Sequence, residues 1–360
     1  MSKFLFCESS GNLGGQELQI LLQMAALRQS GHEVMLACHP SSAIAAEAGV
    51  RRLECTPIAF RNSLHLPSIL ALRRLIRARH IDVAFCHSGH DADTLAAATT
   101  LMRRRPLLIR ARTYQPGLPK AHSYNRMVDR TVVPSEHLRR MILVNPKIRP
   151  ERIAVLRPIV SVGDIRAASR LPLPEGLSAA LRGAPIIVHA AMLRPEKGHG
   201  TVLAALVGLL RRYPALRYVM AGSGPEEAAL RQQVRRLGLE HNVVFAGFVM
   251  PVSPLLARAD LVIMPSLDEP LGLAHLEALA LGIPVAVSDA GGLPETVTHG
   301  ETGWIWRAGD VGAWREGLDY ALANPGRART LAERGRAFVD AVFAPEAHLA
   351  ALEAQLALAR

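Results

Sequence analysis

Short apolar runs alternate with helical stretches from one end of the chain to the other. Lys3-Phe-Leu-Phe-Cys7 reads as a first strand, followed by a tight loop at Gly11-Asn-Leu-Gly-Gly-Gln16 and a helix from Glu17 to Arg28. Residues 33–38, 82–86, 106–110, 130–133 and 152–156 read as further strands. A second series begins near Pro185 and continues at 216–221, 243–245, 261–264 and 285–287. Apolar runs this short, bounded by turn residues and separated by helices, predict parallel sheets with helices on both faces. Residues 157–183, rich in proline and glycine, read as a linker or long connection. The expectation is an α/β chain of two Rossmann-like, doubly wound domains facing each other across a cleft. Their predicted bounds are residues 1–160 and 161–340, with a final helix in 341–360.

A length of 360 residues suits two cores better than one. Only 4% of residues are aromatic. Stacking platforms for single-stranded nucleic acid are therefore scarce, and no nucleic-acid motif appears, so no nucleic-acid partner is expected. The net charge of +11 is unevenly placed. Residues 1–160 hold 23 basic and 11 acidic side chains, leaving 19 and 20 in the rest. A positive first domain suits an acidic substrate or an anionic membrane surface. The stretch Leu66–His80 reads as a basic amphipathic helix, and Arg103-Arg-Arg105, Arg110, Arg112, Arg139 and Arg140 add to the field. Cys7, Cys38, Cys55 and Cys86 lack C-x-x-C spacing and read as buried free thiols of a reducing compartment. No apolar run is long enough to cross a bilayer, and MSKFLFCESS does not read as a signal peptide. A cytoplasmic protein is expected, peripheral on the inner face of the plasma membrane.

Candidate chemistry concentrates in the second half. Glu269 follows a predicted strand, and Glu277 lies about one turn into the next helix. Gly272 between them permits close backbone approach to a ligand. Carboxylates accept hydrogen bonds from sugar or ribose hydroxyls, and backbone N–H groups at a helix start suit phosphate. Ligands of open α/β sheets bind at the carboxyl ends of strands. Arg194 and Lys197 occupy such a loop after the strand that begins near Pro185, where a cation would stabilise a departing diphosphate. In the first half, Gly14-Gly15 directly follows a strand, and His87 closes another. Asp91-Ala-Asp93 reads as acids favouring a helix start, not as a metal motif.

The segment MPSLDEPLGLAHLEALALGIPVAVSDAGGLPETVTHGETGWIW, residues 264–306, carries E-x7-E, E-A-x-A-x-G-x-P-V, S-D-x-G-G-x-P-E and G-x-T-G in order. It resembles the donor-site signature of the family-4 retaining glycosyltransferases of GT-B fold. The resemblance implies transfer of a sugar, with retention, from a nucleotide diphosphate-sugar to a glycan or lipid-linked acceptor. Front-face attack assisted by the leaving phosphate is the mechanism it implies. It places Glu269 on the donor sugar and Glu277 on the ribose. Backbone N–H groups of Leu271, Gly272 and Leu273 fall on sugar or diphosphate, and Lys197 on the diphosphate. Asp289, Gly291, Gly292 and Glu295 would shape the neighbouring loop. Gly14, Gly15 and His87 would face donor or acceptor, and the final helix would return to the first domain. Where the family most often has an arginine the chain has Met192, and Arg194 stands nearby. No metal and no cofactor beyond the donor is expected. With a basic first domain, the setting implied is surface polysaccharide or lipopolysaccharide assembly. A nucleotide-sugar epimerase on the same fold, or a non-catalytic subunit binding membrane or a partner, are the other readings.

Overall fold

The computed structural model describes residues 1–63, 65–183 and 185–359. The chain divides into two compact units. One is Met1–Ile159 with the terminal helix Pro345–Ala359, and the other is Val160–Ala344.

The first unit holds β1 (Lys3–Glu8), β2 (Glu33–Cys38), β3 (Glu54–Pro57), β4 (Val83–Cys86), β5 (Leu107–Ala111), β6 (Arg130–Val133) and β7 (Ile153–Val155). They form one sheet, all parallel, in the order β3-β2-β1-β4-β5-β6-β7. The second unit holds β8 (Ile186–Ala190), β9 (Arg217–Ala221), β10 (Val243–Gly247), β11 (Leu261–Met264), β12 (Val285–Ser288) and β13 (Trp304–Trp306). Their sheet, also parallel, has the order β10-β9-β8-β11-β12-β13. Both orders reverse beside the first strand of the unit, between β1 and β4 and between β8 and β11. Such a reversal opens a crevice at the carboxyl ends of the strands. The central strands are buried on both faces, as parallel sheets covered by helices require. The acid before the apolar run of β11 ties two strands together, since Asp260 Oδ2 accepts the Ile186 N–H at 2.7 Å. Asp82 does the same for Lys3 at 3.0 Å in the first unit.

The structure adds β3 and β13 to the strands read from sequence. Both are short edge strands: β3 is polar and mostly exposed, and β13, though apolar and buried, is shorter than the run of about 4–8 residues that marks a strand in sequence. Residues 157–183 are not a loose linker. They include helices Val162–Ala168 and Glu175–Ala180, and Val160, Leu173 and Leu181 enter the second unit's core. Residues 341–344 do not belong with the final helix: buried Phe343 packs in the second unit, and its carbonyl takes the Val160 N–H at 2.8 Å. The terminal helix begins at Pro345 and sets Leu352 and Leu356 into the first unit's core beside Phe4 and Leu21. Cys55 is exposed, because it lies on edge strand β3, whereas Cys7, Cys38 and Cys86 are buried.

Candidate functional site

In the second unit the loops leaving β8 and β11 are tied together. The Glu196 carbonyl accepts the N–H of Leu267 at 2.7 Å and of Asp268 at 3.4 Å. Gly198 makes the approach possible: its φ is +72°, and a Cβ there would stand 2.0 Å from the Pro265 carbonyl oxygen. Only glycine accommodates both demands. The result brings together two side chains 72 positions apart, Lys197 Nζ donating to Glu269 Oε2 at 2.7 Å. The pair is largely buried, and Ser266 Oγ donates to the same carboxylate oxygen at 3.4 Å. From the other side Gly292 N–H donates to the Glu269 carbonyl at 2.8 Å. Gly291, at φ +62°, lies so close that a Cβ would be 2.0 Å from that same oxygen. Gly291 and Gly292 thus fix the backbone that carries Glu269.

The loop continues through Leu271, whose side chain is in the core, to Gly272 at φ +84° and Leu273, which caps the helix Ala274–Ala280. Among the described residues, the N–H groups of Leu271, Gly272 and Leu273 have no protein acceptor. Glu277, the fourth residue of that helix, is partly buried, and its carboxylate has no protein partner among the described residues. Burial with nothing to offset it pushes its pKa from 4.5 to about 7. A carboxylate so placed is short of donors, which paired hydroxyls would supply.

Arg194 does not join this group. Its guanidinium is 51% exposed and stands 3.9 Å from Glu196. Its neighbour Met192 presents a carbonyl to His199 Nε2 at 3.3 Å. His199 stacks on His189 with centroids 4.0 Å apart, and His189 Nδ1 lies 2.8 Å from the Tyr218 hydroxyl. Burial lowers the His199 pKa to about 4, so the loop beside Lys197 rests on neutral imidazoles. His275 is likewise buried, held at Nε2 by Thr296 Oγ1 at 2.7 Å, and lies under Gly272. No sequence motif singles out His189, His199, Tyr218 or His275, because a histidine or tyrosine in an apolar run shows its partners only when strands are brought side by side.

The first unit gathers a different set. His87 is buried after β4, with Nδ1–H donating to the Cys7 carbonyl at 3.1 Å. Its pKa is lowered by burial, partly offset by that carbonyl and by Asp91. Glu8 is buried beside it, and burial together with the Asp91 charge raises its pKa to about 7. Ligating atoms of Glu8, His87 and Asp91 all lie within 4.8 Å of one another. Hydrogen bonds of the fold occupy most of them: Glu8 accepts from Ser10 and Gln16, and Asp91 from the Ser88 N–H in a capping box. At Gly14 the backbone N–H donates to Glu17 Oε2 at 2.8 Å. Gly14 has an extended φ of −130°, and Gly15 begins the helix. Several arginines counted toward the basic field are committed. Arg104 pairs with Asp82, Arg105 with Asp129, and buried Arg110 donates to Ser123 Oγ.

The family model described as "Glycosyl transferases group 1" matches residues 178–338, and that described as "Glycosyltransferase Family 4" matches residues 13–163. An N-acetyl-alpha-D-glucosaminyl L-malate synthase of Bacillus anthracis is 32% identical over 45% of this chain and 42% of its own length. A GDP-mannose-dependent alpha-(1-6)-phosphatidylinositol monomannoside mannosyltransferase of Mycolicibacterium smegmatis is 36% identical over 42% of each chain. These matches span less than half the length of both relatives. A D-inositol 3-phosphate glycosyltransferase of Segniliparus rotundus is 30% identical over 82% of this chain and 66% of its own. Among solved structures, a glycosyltransferase from Rickettsia africae superposes with a TM-score of 0.84 at 20% identity, over 99% of this chain and 98% of that one. Anabaena HepE, solved in complex with UDP-glucose, gives 0.81 at 20% identity, over 99% of this chain and all of that one, 100%. With two parallel-sheet units and matches along nearly its whole length, the chain belongs to the family-4 glycosyltransferases of GT-B fold.

Proposed function

We propose that this chain transfers a sugar from a nucleotide diphosphate-sugar, held by the second unit, to a glycan or lipid-linked acceptor, with retention of configuration. The observation that carries the reading is Glu277, an inward-set carboxyl group without a partner among the described residues. Ribose hydroxyls supply the donors it lacks. Glu269 takes hydroxyls of the transferred sugar. Lys197, already poised on Glu269 at 2.7 Å, turns to the diphosphate as its charge grows. The N–H groups of Leu271 to Leu273 meet the same phosphates or the sugar. With Lys197 as the neutralising cation, transfer needs no metal. Arg194, exposed and three residues away, adds positive field without a fixed contact. Relatives named for mannosyl and N-acetylglucosaminyl chemistry support a hexose or acetamido-hexose donor.

A panel of UDP- and GDP-sugars tests this by thermal stabilisation, since a ligand of the folded state raises apparent stability by mass action. One donor should raise the melting temperature of the wild type and fail to do so for Glu277→Gln. Transfer of the labelled sugar should persist in chelator. Stabilisation that survives both Glu277→Gln and Lys197→Ala would place the donor elsewhere.

The acceptor setting we propose is an anionic membrane surface, in surface polysaccharide or lipopolysaccharide assembly. No helix among the described residues is long and apolar enough to cross a membrane. The helix Leu66–Arg79 contains no acid, buries Ser68, Leu72 and Ile76, and exposes Leu66, Leu70, Arg74 and Arg77. That face suits anionic lipid. Co-sedimentation with vesicles containing phosphatidylglycerol, reduced by Arg74→Glu with Arg77→Glu, is the expected result; equal binding to neutral vesicles would overturn it.

A further inference from the structure

A groove of about 430 Å³ runs along the outer edge of the second unit, between edge strand β13 and the helix Val311–Ala323. It begins at His299 and Gly300, before β13. The sheet is parallel, so this is the amino end of the strand, away from the loops that carry Lys197, Glu269 and Glu277. Gly317 lets the helix lie close against the strand edge. A Cβ there would meet the Trp306 ring at 2.2 Å.

The lining pairs hydrocarbon with directed polar groups. Trp304 and Trp306, both buried, form the floor, and Tyr320 stands over it, 52% exposed. Trp314, behind them, donates its indole N–H to the Arg307 carbonyl at 3.1 Å. The indole N–H groups of Trp304 and Trp306 have no protein acceptor among the described residues. His299 Nδ1 accepts the Ile305 N–H at 3.0 Å, which leaves Nε2–H as an outward donor. Glu316, 3.6 Å from Arg315, supplies an exposed carboxylate acceptor, and Arg327, at the His299–Gly300 end, is fixed by donating to the Gly300 carbonyl at 2.5 Å. One acid and one base cancel, which disfavours an ion of either sign. Aromatic faces beside several donors and one strong acceptor fit a neutral ring with a C–H face and a rim of hydroxyls. The volume falls in the range of small-molecule sites, about 300–1,000 Å³.

We propose that this groove is a second carbohydrate site, which binds an uncharged hexose unit of a glycan apart from the donor site. Its role would be to retain the growing or product glycan near the enzyme, raising local acceptor concentration.

The protein carries its own reporter, because its three tryptophans, Trp304, Trp306 and Trp314, all lie in or behind the groove. Glucose, mannose, N-acetylglucosamine, maltose and α-1,6-mannobiose would be titrated to tens of millimolar against the full chain, following tryptophan emission. A saturable change with at least one sugar is expected. Tyr320→Ala and Glu316→Ala should each weaken it at least tenfold without altering nucleotide-sugar stabilisation or transfer to a soluble acceptor. Lys197→Ala should leave it intact. No response to any sugar, a response unchanged in both groove variants, or one abolished by Lys197→Ala would overturn the proposal. Donor binding, measured on the same samples, reports separately on the site at Glu277.

Discussion

Replacing Glu277 by glutamine should make the protein more stable above neutrality while removing its grip on nucleotide. The wild-type carboxyl group has a pKa of about 7 in the fold against 4.5 as an ordinary side chain, and burial is the cause. Each pH unit of that difference is worth about 1.4 kcal/mol, so ionised Glu277 costs the fold about 3 kcal/mol at full effect. Partial access of water brings the expected cost to about 2 kcal/mol. The direction follows from proton counting. Between the two values the folded state binds more protons than the unfolded chain, so this contribution is fully present below pH 4.5 and is lost as pH rises through about 7. Urea unfolding of wild type and Glu277→Gln at about pH 5 and about pH 8 measures it. The variant should gain about 2 kcal/mol relative to wild type between the two conditions. Nucleoside diphosphate affinity should move oppositely: wild-type affinity should rise through about pH 7 as the acceptor ionises, and the variant's should stay low and flat. A stability difference independent of pH, or a variant less stable at about pH 8, would show that the carboxylate already has its donors.

Among the described residues, Lys197→Ala leaves the Glu269 carboxylate with only the Ser266 hydroxyl at 3.4 Å. Breaking a buried pair costs about 3–5 kcal/mol, and the pair's residual contact with water lowers this to about 2. Denaturant unfolding checks that figure, and transfer rate should fall at least about 100-fold, against a few-fold for Arg194→Ala. Gly198→Ala sets a Cβ against the Pro265 carbonyl at 2.0 Å in a left-handed conformation. It should cost more than about 2 kcal/mol and weaken donor stabilisation, read from the same unfolding curves. His199→Phe strips the Met192 carbonyl of its buried donor. A loss of about 1–3 kcal/mol is expected, with Met192→Ala, which keeps that carbonyl, nearly neutral.

The amino-acid order alone determined the alternation of strands and helices and the family signature over residues 264–306. Both rest on local properties: apolar runs need burial on two faces, and the signature is contiguous. Glu269 and Glu277 were legible for the same reason, since one loop and one helical turn relate them. Edge strand β3 escaped because an edge needs no apolar run, β13 because its apolar run is too short to mark a strand, and residues 157–183 read as a linker or long connection because proline and glycine also occur in packed turns. Only the tertiary structure decided that Lys197 meets Glu269, that Arg194 turns instead to Glu196, and that Glu17 accepts the Gly14 N–H. It alone revealed His189, His199 and Tyr218 beneath the Lys197 loop. Strand order sets those encounters. A parallel sheet joins residues across crossovers of dozens of positions, where a side chain's burial and partners come from neighbouring strands and not from its neighbours in sequence.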